Sequence, residues 1–287
     1  MISEPDAKKS DIWQKMMPSL IIWGIFLLAY VPVFVRLWDR WFSRDSYYTH
    51  GILVPFVSGY LIWQERKELE KLPYVPSPWG MALFLLGIAI YLFSSLFRIN
   101  FSAGFSMLII FLGLVLHLYG KKVVSKIIFP IFFLVFMIPL PSESIVTISF
   151  KMKLFAADIA AKILNQIGLL CIREGSIIKM QNTYVVVDDV CSGLRSLISL
   201  TALGSIFAYW LKGPLYKRIF LFLFTIPIAV VTNVCRVILL SCISEIWGSQ
   251  YATGFTHDAL GFLVFILAFM MLYFLSKLIE DSNAKTT

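Results

Sequence analysis

The chain has 287 residues, of which 59% are hydrophobic and 15% are charged. Soluble domains average about 45–50% apolar and about 25% charged residues. This composition therefore excludes a disordered chain, a disulfide-stabilised mini-protein and an ordinary soluble enzyme. The net charge of +8 would indicate nucleic-acid binding only if the basic residues formed one patch on a soluble face. They are spread between apolar segments instead, so we expect a polytopic membrane protein with no nucleic-acid partner.

Eight apolar segments follow one another along the chain, and each is a candidate transmembrane span. A crossing needs about 20 mostly apolar residues. The first segment reaches that length and no small-residue cleavage pattern follows it, which distinguishes it from a signal peptide. The segments are residues 17–37, 51–63, 80–97, 101–119, 123–140, 192–211, 219–243 and 259–276. We predict an all-α fold with about eight spans, of which the second is short.

The distribution of basic residues predicts the orientation of these spans. Lys and Arg near the ends of spans are retained on the cytoplasmic side. We assign successive loops alternately to the inner and the outer side of the membrane, starting with a cytoplasmic N-terminus that contains Lys8, Lys9 and Lys15. The inner loops then hold more Lys and Arg than the outer loops. Both termini are therefore expected in the cytoplasm. We predict cytoplasmic tails at 1–16 and 279–287 around a single membrane domain, 17–278.

The segment 141–190 is the one stretch that predicts structure outside the membrane. Phe155, Ile159, Ile163 and Ile167 recur at four-residue steps, which is typical of an amphipathic helix. We expect this helix to lie at the outer interface of the bilayer. The following residues, 175–189, are rich in β-branched side chains and predict a small hairpin before the sixth span.

Three reactive or charged side chains are expected at one depth in the membrane. Cys191, Arg236 and His257 each lie about 20 residues from the cytoplasmic end of their own span, which corresponds to about 30 Å of helix. The hydrocarbon core is also about 30 Å thick. All three are therefore expected at the outer boundary of the membrane, where ionisable groups mark candidate functional sites.

These three residue types together favour cysteine chemistry. A neighbouring imidazolium or guanidinium lowers the pKa of a thiol and raises its thiolate fraction. His257 could then protonate a leaving amine, and Arg236 could stabilise an oxyanion. Asn233 lies one turn before Arg236 and could orient it, whereas Arg195 competes with Arg236 for the anion. Each residue also has a structural alternative, since Cys191 could simply pack, Arg236 could extend toward the interface and His257 could cap its helix.

Four motifs in this chain resemble those of the exosortase/archaeosortase membrane proteins. Cys191 begins a Cys-Ser-Gly sequence at the start of a predicted span, as in the nucleophile motif of that family. Asn233 and Arg236 match its Asn-x-x-Arg motif, and His257 begins a His-x-x-x-Gly motif. A Tyr-x-His-Gly element resembles that of bacterial exosortases and contains Tyr48 and His50. Their order along residues 45–261 makes the combination specific.

The resemblance implies a cysteine protease or transpeptidase, a thiol enzyme that needs no cofactor or metal. Its partners would be precursor proteins with a C-terminal sorting signal, which consists of a Pro-Glu-Pro-like motif (PEP-CTERM-like), a transmembrane helix and a basic tail. By position, Cys191 would be the nucleophile, Arg236 would stabilise the oxyanion and His257 would be the acid and base. Asn233, Arg195, Tyr48 and His50 would support the substrate. The resemblance implies a multi-pass protein of the inner membrane with its site on the extracytoplasmic side.

Three alternatives remain at this stage. A transporter or flippase could use intramembrane Arg and His side chains to bind an anion, but it would need polar residues along a path through the membrane. A metalloprotease is disfavoured because the three histidines are far apart in sequence and no His-Glu-x-x-His pattern occurs. A structural scaffold could tie Cys191 to Cys171 in a disulfide on the oxidising side of the membrane.

Overall fold

A computed structural model describes residues 4–43, 46–188, 192–252 and 254–284, with side chains between residues 17 and 281. The described chain is mostly helical. It divides into two compact units, Met1–Ser43 with Thr49–Pro139, and Arg44–Tyr48 with Leu140–Thr287. Each unit has its own packed interior and is described by itself. The predicted single membrane domain, 17–278, stays a prediction.

The first unit is a bundle of helices of unequal length. Two 3-10 turns, Thr49–Ile52 and Leu134–Met137, accompany them. The helices are α1 (Glu4–Ala29), α2 (Val31–Phe42), α3 (Leu53–Gln64), α4 (Arg66–Leu69), α5 (Pro78–Phe97), α6 (Asn100–Tyr119) and α7 (Lys121–Phe133).

The predicted first span is broken at Tyr30. Helices α1 and α2 meet there at 54°. Pro32 explains the break, because it has no N–H to donate to the carbonyl of Leu28 and its ring opposes a continuous helix. The Tyr30 hydroxyl is buried and lies 3.0 Å from Ser106 Oγ on α6, which anchors the break inside the unit.

The described helices support fewer crossings than the eight apolar segments suggest. Four of them are long and apolar enough to span a bilayer: α5, α6, α10 (Leu215–Trp247) and α11 (Phe255–Ala284). The number rises to six if two interrupted pairs, α1 with α2 and Lys121–Met137 with Ser142–Gln166, each count as one span. The predicted second and sixth spans form helices of only 12 and 17 residues. A multi-pass helical membrane protein is confirmed, but the count of eight is not.

The second unit combines helices with a small sheet. Its helices are α8 (Ser142–Gln166), α9 (Leu194–Trp210), α10 and α11. The strands β1 (Ile172–Glu174), β2 (Ile177–Lys179) and β3 (Tyr184–Val186) pair in antiparallel fashion in the order β1-β2-β3. The predicted hairpin is confirmed by the pairing of β2 with β3, and β1 extends it to three strands.

The sheet packs against both α8 and α10. One hydrophobic cluster joins the three elements, with Ile178 and Val187 from the sheet region fully buried in it. The tip of the hairpin is tied to α10, because Asn182 Nδ2 donates to Glu245 Oε1 at 2.9 Å and Thr183 Oγ1 lies 3.2 Å from Ser244 Oγ. These contacts fix β3 alongside the C-terminal half of α10.

Helix α8 forms in the predicted segment, and Ile159 and Ile163 pack against the hydrophobic cluster as partly buried side chains, but the most buried face lies beside them. Phe155 and Ile167 are 54% and 60% exposed. The buried positions are mostly alanines together with one leucine: Ala156, Ala157, Ala160, Ala161 and Leu164. Small side chains allow α8 to approach α10 and the sheet closely, so close packing decided which face is buried.

Candidate active site

The start of α9 is held against α10 by a glycine. Gly193 precedes α9 with φ +83°, a left-handed conformation that favours glycine. A Cβ at this position would lie 2.5 Å from Cγ of Asn233, which is 4% exposed on α10. Ser192 is fully buried and its Oγ accepts a bond from the Leu194 N–H at 3.3 Å. The Cys-Ser-Gly and Asn-x-x-Arg motifs therefore meet at Gly193 and Asn233.

The predicted nucleophile lies outside the described residues. Cys191 belongs to the short segment 189–191 that directly precedes Ser192. Asp188 on one side and Ser192 on the other are both described, and both belong to the second unit.

Arg236 and His257 are in direct contact. Arg236 is 8% exposed on α10, one turn after Asn233. Its Nη2 lies 3.0 Å from Nε2 of His257 and 3.3 Å from the His257 carbonyl oxygen. A guanidinium can only donate, and the same Nη2 also lies 3.4 Å from Nδ1 of His257, so it faces both ring nitrogens. Two of the three side chains predicted at one depth are thus brought together by α10 and α11.

Asp258 completes this arrangement and was not among the predicted site residues. Its Oδ1 lies 3.3 Å from Nδ1 of His257, which fits an Nδ1–H donor. The carboxylate is 84% exposed, so it orients the ring rather than contributing much stability. The only signal in the sequence was its position directly after His257.

The glycine of the His-x-x-x-Gly motif makes room for the guanidinium. Gly261 lies one turn after His257 on α11, on the same face. A Cβ at Gly261 would lie 3.1 Å from Nη2 and 3.3 Å from Cζ of Arg236. The two ends of the motif thus contact the same guanidinium: His257 with a ring nitrogen, and Gly261 with the space left by its missing side chain.

Two buried N–H groups near these motifs have no hydrogen-bond partner within the described structure. They are Nε of Arg236 and Nε of Arg195, which lies in the first turn of α9. A buried donor without a partner is costly, and such groups occur where a ligand or water completes the site. Arg236 therefore retains a donor that His257 does not occupy.

Tyr48 and His50 contact the segment around residues 136–140. The Tyr48 hydroxyl accepts a bond from the Leu140 N–H at 3.1 Å, and burial raises its pKa. His50 bonds the backbone of Phe136, and burial lowers its pKa to about 4. These contacts hold the chain before α3 and before α8. A supporting role toward the substrate stays a prediction for both residues.

Cys171 carries a free thiol. Its Sγ donates to the carbonyl of Ala161 at 3.4 Å, and burial raises its pKa. Asn165 bonds both the N–H and the carbonyl of Cys171, at 2.8 and 3.0 Å. The disulfide required by the scaffold alternative is therefore absent at Cys171. Within the described ranges, no group of three or more His, Cys, Asp or Glu side chains could hold a metal ion.

A family model described as transmembrane exosortase matches residues 38–274, which include all four motifs. The chain belongs to the transmembrane exosortase family. The resemblance carried by the motifs is confirmed. Membership in the exosortase family supports a membrane transpeptidase-like role toward membrane-anchored proteins. No curated protein and no solved structure matches the chain.

Proposed function

We propose that this chain is a cysteine protease/transpeptidase that cleaves the C-terminal sorting signal of membrane-anchored precursor proteins. The proposed signal is PEP-CTERM-like and is read at the extracytoplasmic face of the inner membrane. The observation that carries the proposal is the 3.0 Å contact between Arg236 and His257, because it joins a proton acceptor to a cation beside the start of α9. Cys191, which directly precedes that start, is the proposed nucleophile.

The contact between the two side chains suggests how the reaction begins. In the structure, Nη2 of Arg236 lies 3.0 Å from Nε2 of His257 and 3.4 Å from its Nδ1, so the guanidinium contacts the imidazole at both ring nitrogens. A substrate carbonyl that draws Arg236 toward its oxygen would release Nε2, which could then accept the thiol proton of Cys191. His257 would thus accept the thiol proton only when the substrate carbonyl has arrived. The buried Nε–H of Arg236 supplies a further donor for the developing oxyanion.

The remaining steps follow from this assignment. The Cys191 thiolate attacks the carbonyl carbon, and the C–N bond breaks as the His257 imidazolium transfers its proton to the leaving amine. The precursor then remains as a thioester on Cys191. An amine or water attacks the thioester, transfers a proton to His257 and releases the thiol. Asp258 keeps the ring oriented through Nδ1 during both transfers.

Replacing the nucleophile tests the function directly. In cells that carry a reporter precursor with a Pro-Glu-Pro motif, a transmembrane helix and a basic tail, Cys191→Ala should leave the precursor at full length. The wild type should trim it, and mass spectrometry of its new C-terminus reports both cleavage and any attached group. Cys242→Ala is the matched control, since Cys242 is a free cysteine that packs against the core of the second unit.

The same variants test the proposed side of the membrane. A membrane-impermeant maleimide should label Cys191 in intact spheroplasts, and this labelling should disappear in Cys191→Ala. Normal trimming by Cys191→Ala would reject the catalytic assignment. Labelling of Cys191 only after the membrane is opened would reject the extracytoplasmic location.

The two buried threonines of α10 lend no support to the transporter alternative. It needs buried polar groups that face a path, but the hydroxyls of Thr225 and Thr232 donate to their own helix at 2.6 and 2.8 Å. Both hydroxyl protons are therefore used by backbone carbonyls of α10 itself and are not offered to a transported anion.

A further inference from the structure

Strand β3 has an unpaired edge. In the hairpin, the Met180 N–H donates to the Thr183 carbonyl and the Val187 N–H donates to the Ser176 carbonyl. Backbone groups alternate in direction along a strand, so those of Tyr184 and Val186 point away from β2. Since β3 is the last strand of the sheet, these N–H and carbonyl groups have no strand beside them among the described residues.

A groove runs along this edge. It has a volume of about 650 Å³ and is lined by the five consecutive residues 184–188. Side chains of a strand alternate between its two faces, so a groove that touches every residue follows the edge rather than a face. Val237 and Leu240 of α10 contribute an apolar floor.

The groove ends at the candidate active site. His257 and Asp258 line it together with β3, and Gly254 lies on the same wall. The chain continues from Asp188 at the groove toward Ser192 at the start of α9. A molecule that occupies the groove would therefore extend to the imidazole that contacts Arg236.

The residues of the edge favour a peptide as the ligand. Tyr184 and Val186 are 63% and 39% exposed, and the strand carries none of the charges or prolines that normally protect an edge from pairing. Main-chain donors and acceptors that repeat every two residues match an extended backbone.

We propose that an extended segment of the precursor, just outside its transmembrane helix, adds to β3 as a fourth strand and so delivers its carbonyl to the active site. This inference rests on the proposed function and specifies how that site recognises its substrate. The main chain supplies the affinity, while the groove floor selects side chains at alternate positions. One open edge can thereby accept precursors that differ in sequence.

Disulfide crosslinking tests this geometry in a chain without its own cysteines. Cys171, Cys191, Cys235 and Cys242 are replaced by alanine, and Tyr184→Cys is introduced at the groove. The reporter precursor carries single cysteines, one at a time, in the ten or so residues before its transmembrane helix. The strongest crosslink is expected at the one precursor position directly opposite residue 184, with weaker ones two positions to either side and none at the positions between, because a paired strand presents alternate side chains to one face.

The other edge of the same sheet provides the matched control. Ile172→Cys on β1 is 70% exposed, similar to Tyr184, but it does not line the groove. It should give less than a tenth of the crosslinked product. Equal crosslinking at both edges, crosslinks spaced by three to four positions, or no crosslink at Tyr184→Cys would overturn the proposed strand pairing.

A proline at the edge gives a second test that uses activity. Val186→Pro removes the N–H that faces the groove and leaves the pairing with β2 intact, whereas Val186→Ala keeps that N–H. Trimming by Val186→Pro should be at least about tenfold slower than by Val186→Ala, which corresponds to about 1.4 kcal/mol. Equal rates in the two variants would contradict a main-chain role of this edge.

The two proposals fail in different ways. If Cys191→Ala still trims the reporter, the proposed function fails whatever the crosslinks show. If Cys191→Ala is inactive but the crosslinking and proline experiments give the contrary results, only the strand inference is rejected.

Discussion

At the scale of single residues, the proposed function depends most on Arg236. It is 8% exposed, and burial of a guanidinium is costly unless its donors are used. One nitrogen contacts His257 on α11, whereas Nε has no partner in the described structure. A purely structural arginine would be expected to satisfy all its donors. In the proposed reaction, this remaining donor would bind the substrate carbonyl.

Arg236→Lys separates planar hydrogen bonding from charge. Lysine keeps the positive charge but cannot contact His257 Nε2 and an oxyanion with a fixed fork of donors. Trimming of the reporter should fall at least about tenfold, or about 1.4 kcal/mol. Arg173→Lys on β1 is the control, because Arg173 forms its ion pair with Asp158 on α8, outside the groove. Full activity of Arg236→Lys would reject the fork role.

At the scale of elements, two glycines determine how closely the functional helices approach. The side chain of Asn233 packs against Gly193, and the guanidinium of Arg236 packs against Gly261, in each case where a Cβ would otherwise stand. The spacings of the Asn-x-x-Arg and His-x-x-x-Gly motifs follow, because residues one turn apart share a helix face. The motifs therefore encode contacts between helices as well as the reactive groups.

Gly261→Ala should separate stability from activity. Alanine favours a helix over glycine by about 1 kcal/mol, which offsets the cost of moving the guanidinium, so the melting temperature should change little. The new Cβ would displace the guanidinium by a few tenths of an ångström, since it would lie 3.1 Å from Nη2. We expect trimming to fall several-fold while the protein remains folded.

Gly59→Ala is the matched control for this change. Gly59 is also inside a helix, α3, but a Cβ there would meet no atom within 4 Å. Its melting temperature should rise at least as much as that of Gly261→Ala, with no loss of trimming. If Gly261→Ala trims at the wild-type rate, the space at Gly261 is not required for the reaction.

At the scale of the whole molecule, the chain builds two compact units of different character. The regular elements of the first are helices in its described residues, and the second carries the sheet, the groove and the contact between Arg236 and His257. The catalytic proposal therefore depends on the second unit. The stability of the first depends in part on His50, whose imidazole is held neutral by burial.

His50 should make the stability of the protein depend on pH. Its pKa is about 4 in the folded chain against an ordinary value of 6.5, so the unfolded state binds a proton more readily between these values. The free energy of unfolding should therefore fall as the pH drops from 6.5 toward 4. At about 1.4 kcal/mol per pKa unit, the loss approaches about 3 kcal/mol.

Thermal unfolding at pH 7 and pH 4.5 checks this dependence. The melting temperature of the wild type should fall between these two pH values, and His50→Gln should fall clearly less because glutamine does not titrate. The comparison is made within each variant, so a change in stability at pH 7 does not affect it. An equal fall in both variants would show that His50 is not the group responsible.

The sequence by itself determined that the chain is a multi-pass membrane protein and identified its family. Apolar composition shows whether a chain is surrounded by lipid or by water. Short motifs such as Asn-x-x-Arg and His-x-x-x-Gly can be recognised from the spacing of their residues alone. The sequence also predicted that Arg236 and His257 reach one depth, because helical rise converts residue number into distance. These inferences need only local geometry.

The tertiary structure alone decided what these elements contact. Counting apolar residues could not show the alanine face of α8 or the open edge of β3, since each depends on which neighbour packs against it. The same limit concealed Asp258 and the role of Gly261. Burial and hydrogen-bond partners arise between segments that are distant in sequence, so periodicity within one segment does not contain them.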